Sequence, residues 1–436
     1  MLALRLTFDQ SQIPAAGPAT RHLLARITPP AAHAQRAPAP LDLAIVIDAS
    51  GSMNGPPLEA VKEATLRLVR ELPQTTRLTV VSFASDVVVH GDAMPLDEGN
   101  RAEITRRLAR IGTRGSTDLH AGWQTACTLL AAAGGGGEGR RQHVVVLSDG
   151  HANQGLVDPA ALAMKARSQR EGGVSTSCVG IGDGYSLEQL AALAEHGGGA
   201  CHDAENATEI VEVLCGEVLS LAEVVAEDVQ LTLDFGPGVR ARELSGLPAS
   251  FDGSRMVVPI GGLRAGIERV VVVQVDVAGA GSLAAADGVL PVASGHLQWR
   301  EPGSPARMQS NREDVFLQRV AGPIAAPSFV DARAVLVAWQ ACIVRRVTAL
   351  NRDHDFAGLE RLWRDEFEAF LGYARLRSDT ADFERAIDSV RRRAMRPMGE
   401  RSLKQAFDLA TKEARQAPVY YAAEKGGVAD QFRFKD

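Results

Sequence analysis

This chain has no apolar run approaching the roughly 18 residues that a membrane span requires. Its opening, MLALRLTFDQSQIP, lacks the basic region and unbroken apolar core of a secretion signal. Both absences predict a cytoplasmic protein without a membrane span. Cysteine is scarce: Cys127, Cys178, Cys201, Cys215 and Cys342 are odd in number and show no CxxC spacing. That argues against a disulfide framework and a zinc ribbon alike. A metal site joining Cys201-His202 to Cys178 or Cys215 is the one cysteine arrangement left open, against the commoner role of single cysteines as packing groups. Basic charge is not in excess either. A net charge of −6 and an isoelectric point near 6.0 give no electrostatic case for nucleic acid or an anionic membrane. The chain also lacks GxxxxGK[ST] and a GxSxG elbow, and the run GIGDG at 180–184 lacks the spacing of a dinucleotide loop.

What is present is an ordinary globular composition, 45% hydrophobic and 23% charged, over 436 residues, long enough for two or three domains. Two short strands are expected near Leu2–Phe8 and His22–Ile27, followed by a Pro/Ala-rich connector over Pro29–Pro40. From Leu41 to about Leu219 strands and helices alternate, the pattern of a doubly wound, Rossmann-like α/β sheet. Apolar strands fit Leu43–Ile47, Leu78–Phe83, His143–Leu147 and Val174–Ile181, with Val87–His90 at an edge and a short strand near Gly199–His202. Helices fit Pro57–Leu72, Arg101–Ile111, Leu119–Ala133, Pro159–Arg170, Leu187–His196 and Ala207–Leu219. Gly134–Gly137 reads as a surface connection. After Val224 the segments DVQLTLDF, RMVVPI, ERVVVVQVDV and SGHLQWR read as strands of a β-sandwich, which the N-terminal strands would complete. From Asp331 four helices are expected, Asp331–Leu350, Phe356–Ala374, Asp382–Met395 and Arg401–Arg415, packed as a bundle with Trp339, Trp363, Phe367 and Phe370 in its core. The predicted division is residues 1–38 pairing with the sandwich, 39–220 for the α/β unit, 221–325 for the sandwich, and 326–436 for the helices and tail.

The chemistry gathers at one place. In LAIVIDASGSM a buried strand ends in Asp48, and Ser50 and Ser52 follow at every second position. Thr117 lies in the loop GTRGSTD, and Asp149 ends a later apolar strand in LSDG. In a parallel sheet all three pieces fall at the carboxyl edge, where ligands bind. A carboxylate with two hydroxyls asks for a hard cation such as Mg²⁺, with Mn²⁺ or Ca²⁺ as alternatives. Each piece alone is ordinary, since Asp and Ser cap helices and Asp-Gly makes turns. His120 and His151 lie near the same edge, where solvated loop histidines are the commoner reading. The cluster Arg391-Arg392-Arg393 with Arg396 reads as a solvated helix face, or as a docking surface for an acidic partner.

DASGS, the loop threonine of GSTDL and the strand-Asp-Gly together resemble the metal-ion-dependent adhesion site of the von Willebrand factor A family. The resemblance covers about Leu41–Leu219, with all five liganding positions filled. The layout is similar to bacterial intracellular proteins of that family and, more loosely, to the inter-alpha-trypsin-inhibitor heavy-chain type. It implies that Ser50 and Ser52 coordinate the cation through hydroxyls and that Asp48 and Asp149 act directly or through water. Thr117 would be direct in one conformation and water-mediated in another. A Glu or Asp of a partner protein would fill the remaining position, so the expected function is cation-dependent protein–protein interaction, as a non-enzymatic adaptor or assembly subunit. A metal-assisted hydrolase or phosphatase would need a base or nucleophile that no motif supplies. A structural subunit with a merely stabilising metal is the third reading.

Overall fold

The computed structural model describes residues 2–31, 40–134, 139–182, 184–204, 206–221, 223–278, 288–304, 306–377, 381–399, 401–404 and 406. The chain opens with β1 (Ala3–Phe8), β2 (Gln12–Pro14) and β3 (Ala19–Thr28). An α/β unit follows. It comprises β4 (Leu41–Asp48), α1 (Pro56–Glu71), β5 (Arg77–Phe83), β6 (Val87–Pro95), α2 (Glu98–Ala109) and α3 (Leu119–Gly134). It continues with β7 (Arg141–Ser148), α4 (Pro159–Glu171), β8 (Val174–Ile181), α5 (Leu187–His196), β9 (Gly198–Ala204) and α6 (Ala207–Leu221).

The six strands lie in the order β6-β5-β4-β7-β8-β9, all parallel except the edge strand β6. The chain builds outward from β4 on one side, then returns to build β7, β8 and β9 on the other. The reversal of direction therefore falls between β4 and β7, the position where open α/β sheets bind ligands. The unbroken apolar run of β4 is explained by burial on both faces. Leu43, Ile45 and Ile47 pack with α1, α2 and α6, while Ala44 and Val46 pack with α3, α4 and α5. On α1 the expected stripe of Leu58, Val61, Ala64 and Leu68 is buried, and Leu72 just past its end is buried with it.

Beyond α6 come β10 (Val224–Phe235), β11 (Val239–Glu243), β12 (Ser250–Asp252), β13 (Arg255–Arg264) and β14 (Arg269–Val277). They are followed by β15 (Val289–Arg300), β16 (Arg307–Gln309) and β17 (Glu313–Val320). These strands form two further sheets. One has the order β1-β3-β14-β11, and the other β12-β13-β10-β15-β17-β2 with β16 on β15. Strand β3 pairs with β14 over nine residues, from Ala19 opposite Val277 to Ile27 opposite Arg269. One apolar core lies between the two sheets, drawing Leu23, Ala25 and Ile27 from β3 and Leu231, Leu233 and Leu297 from the other sheet.

The helices α7 (Phe329–Arg352), α8 (Phe356–Leu362), α9 (Glu368–Ala374) and α10 (Ala381–Ala394) complete the described chain, with a helical turn at 401–404. They do not form a bundle with a core of its own. Leu24 of β3, Leu244, and Val270 and Val272 of β14 join Trp339, Trp363, Phe367 and Phe370 in one cluster, so the helices cover the outer face of the four-stranded sheet. The helix expected over Phe356–Ala374 is interrupted by a π-turn at Trp363–Phe367. The described residues include no helix long and apolar enough to cross a membrane. Residues 32–39 of the Pro/Ala-rich connector and 135–138 of the glycine run lie outside the described residues. So do the end of the helix expected at Arg401–Arg415 and the tail Gln416–Asp436.

Candidate metal centre

Three loops meet over the ends of β4 and β7. Asp48, the last residue of β4, is fully buried, because a central strand carries its final side chain into the sheet's edge. Its Oδ1 accepts the Ser50 amide at 2.8 Å, and its Oδ2 accepts the Ser148 hydroxyl. Ser50 caps a short 3-10 turn at Gly51–Met53, and this turn brings Ser52 Oγ to 3.1 Å from Ser50 Oγ. Gly55 then takes a left-handed φ of 85°, which turns the chain into α1.

Ser52 Oγ donates to Asp149 Oδ1 at 2.7 Å, linking the first loop to the end of β7. The loop of Thr117 is braced against both. Arg114 donates its amide to Ala49 O, Gly51 donates to Gly115 O at 3.2 Å, and the Thr117 amide donates to Asn153 Oδ1 at 3.1 Å. Thr117 O in turn accepts the amides of Asn153 and Gln154. One point records the convergence. A Cβ placed on Gly150 would lie 3.4 Å from Ser52 Oγ, 3.6 Å from Thr117 Oγ1 and 4.0 Å from Asp48 Oδ2.

All five residues singled out in the sequence are thus brought together. Asp48, Ser50 and Thr117 are buried at the base, Asp149 is half-buried, and Ser52 is exposed at the rim. The donor set is two carboxylates and three hydroxyls, all hard oxygens, which fits Mg²⁺, Mn²⁺ or Ca²⁺ better than a soft metal. The electrostatics fit as well. Burial pushes the Asp48 carboxyl above its ordinary value, against hydrogen bonds from Ser148 and Ser50. Burial also pushes Asp149 up, opposed by Ser52 and reinforced by the charge of Asp48. A cation between them would offset both effects.

Sequence reasoning missed Ser148, Asn153 and Gly150. Ser148 was readable only as the residue before Asp149, and nothing local distinguishes Asn153 from any loop asparagine. His151 is exposed, and His120 at the start of α3 has its Nε2 buried without a hydrogen-bond partner. The cysteine alternative does not assemble. Cys178, Cys201 and Cys215 are buried, and His202 Nε2 lies 2.9 Å from Glu217 Oε2. Among the described residues no group of three His, Cys, Asp or Glu side chains could hold a metal, so a cation site here has to draw on hydroxyls. A cavity of about 420 Å³ lies at the opposite edge of the sheet, where His143 and Glu217 line it beside Arg269 and Arg300.

Residues 42–214 match the family model of the von Willebrand factor type A domain. The chain is 28% identical to the uncharacterized protein YfbK of Escherichia coli over 199 residues, 45% of this chain and 34% of that one. It is 27% identical to inter-alpha-trypsin inhibitor heavy chain H3 of Bos taurus over 170 residues, 36% of this chain and 18% of that one. The chain therefore spans well under half the length of these two curated relatives. Among solved structures, a von Willebrand factor type A protein from Catenulispora acidiphila is similar with a TM-score of 0.66 and 16% identity, over 95% of this chain and 96% of that one. The ArnB paralog VWA2 from Sulfolobus acidocaldarius is similar with a TM-score of 0.56 and 13% identity, over 95% and 99%. At these identities the likeness is one of fold, and it extends over nearly the whole chain.

Proposed function

Because this chain carries a von Willebrand factor type A domain, we propose that Asp48, Ser50, Ser52, Thr117 and Asp149 bind a divalent cation. The cation, Mg²⁺ with Mn²⁺ or Ca²⁺ as alternatives, then receives a Glu or Asp side chain from a partner protein. The protein acts as a cytoplasmic adaptor or assembly subunit. We read its architecture as an α/β domain at 39–220 inserted in a β-sandwich at 1–38 and 221–325, with the helical part at 326–436. The observation that carries the reading is the approach of Asp48, Ser52 and Thr117 oxygens, from two separate loops and a strand end, to a single point over Gly150.

The physics supports a binding role. Three of the five donors are neutral hydroxyls, so the cation's charge is only partly offset and an incoming carboxylate is attracted. Magnesium retains water readily, leaving positions that a partner's oxygen can take. Ser52 and Asp149 stand at the open side of the cluster, where such an oxygen would arrive.

The test is a pull-down in Mg²⁺ against EDTA with wild type, Ser50→Ala and Gly150→Val. Gly150 has no positive φ, so valine fits the backbone there while its methyl groups enter the space over the hydroxyls. Partner capture should be lost in EDTA and in Ser50→Ala. Gly150→Val should weaken it about tenfold, or about 1.4 kcal/mol, with the melting temperature kept within a few degrees. Capture that survives both chelator and Ser50→Ala sinks the reading.

A further inference from the structure

A contact from the far end of the chain reaches the same edge. Lys404, in the helical turn that follows α10, is 2% exposed, and its Nζ lies 3.8 Å from the centroid of the Tyr185 ring. Tyr185 stands in the loop between β8 and α5 and is itself buried. Its ring lies flat against Gly180, where a Cβ would come within 2.4 Å of ring atoms, and its hydroxyl donates to Asp203 Oδ1 at 2.7 Å.

From that loop two short paths run to the two aspartates. Gly180 is the ladder partner of Ser148, whose hydroxyl donates to Asp48. Gly184, one residue before the tyrosine, sits so close to Asp149 that a Cβ would lie 2.6 Å from the Asp149 carbonyl oxygen. The loop has no slack at either point, because only glycine permits both approaches. The same helical part also holds α5, through Arg345 to Glu195 at 2.5 Å and Arg352 to Glu188 at 3.0 Å. An ammonium seated over a buried aromatic face is strongly attracted there, whereas a merely packing position would take an apolar side chain.

We propose that the helical turn carrying Lys404 is an intramolecular effector of the cation site. Seated on Tyr185, it holds residues 184–186 against Asp149 and the end of β8 against Ser148, which keeps both carboxylates placed for a cation. Its release loosens the loop and weakens the site, so a partner that takes up this turn would also lower cation affinity. The proposal rests on the cation reading of Asp48 and Asp149. Coupling of this kind is reciprocal, so cation binding must tighten the seat of Lys404 by the same factor.

Two measurements on the full chain test it. Mn²⁺ titration calorimetry compares wild type, Ser50→Ala, Lys404→Met and Tyr185→Leu. Hydrogen exchange at the Ser402–Lys404 amides is followed with and without Mg²⁺ in wild type and Ser50→Ala, an arm that holds even where a substitution fails to fold. Lys404→Met and Tyr185→Leu should weaken Mn²⁺ at least fivefold, and Mg²⁺ should slow exchange at those amides in wild type but not in Ser50→Ala. Mn²⁺ binding that depends on Ser50 yet stays within twofold in both variants overturns the coupling and leaves the cation site standing. Exchange at those amides that ignores Mg²⁺ overturns it as well. If wild type binds no Mn²⁺ in a Ser50-dependent way, the cation reading fails and the coupling with it.

Discussion

Glu217 on α6 illustrates how single residues hold the α/β unit to its sheet. Its carboxylate accepts the Ser177 hydroxyl at 2.5 Å and faces His202 Nε2 at 2.9 Å and His143 Nε2 at 3.9 Å. Burial pushes this carboxyl up, but the hydrogen bonds from His202 and Ser177 outweigh it and hold it down at about 2. Burial keeps His143 neutral, its value pushed down to about 4. The ordinary value for a glutamate is 4.5, so the folded state favours the ionised form. The stabilisation is complete above pH 4.5 and is lost as pH falls through about 2. Glu217→Gln should cost on the order of 3 kcal/mol at pH 7. In urea unfolding the difference from wild type should fall below half of that by about pH 3. An equal difference at both pH values would show that the charge is not what matters.

At the scale of elements, β14 shows what the helices pack against. Val270–Val273 is an unbroken apolar run, and Val271, Val273 and Val275 face the core between the two sheets. Val270 and Val272 face the opposite way, into the helices. Such a run means burial on both faces, so the helices had to lie on this sheet and could not pack only on one another. Val271→Ala and Val272→Ala should each cost about 2 kcal/mol in denaturant unfolding. A near-zero cost for Val272→Ala would place that face in solvent. The π-turn at Trp363–Phe367 was equally invisible to a periodicity of 3.6. There Glu366 reaches Trp339 Nε1 at 2.9 Å and Arg242 at 2.8 Å, a tertiary demand that the local sequence does not announce. The short strands β2, β11, β12 and β16 escaped for a related reason, being three to five residues long and mostly at sheet edges.

At the scale of the molecule, the α/β unit is joined to the β part by buried ion pairs. Asp228, at a β-bulge in β10 with a left-handed φ of 48°, lies 3.1 Å from Arg170 of α4 and 2.9 Å from Arg307. Arg141, the first residue of β7, pairs with Glu227 beside it. Taking Asp228 away leaves Arg170, itself buried, without its carboxylate. Asp228→Asn keeps a residue that tolerates the left-handed backbone and removes the charge. It should cost about 3–5 kcal/mol and split the calorimetric melting curve, the α/β unit unfolding apart from the rest. A single unshifted transition would mean that the junction is held by other contacts.

The alternation of the α/β unit and the five oxygen-bearing residues at its edge are legible along the chain, because strand burial and side-chain chemistry are local properties. Asp48 and Asp149 end apolar runs, and a parallel sheet sends both ends to one side. How those residues are held is a matter of the fold. Ser148 under Asp48, Asn153 under Thr117, the bare space over Gly150 and the seat of Lys404 on Tyr185 all join residues far apart in the chain. Their positions are set by packing between elements, which no window of sequence contains.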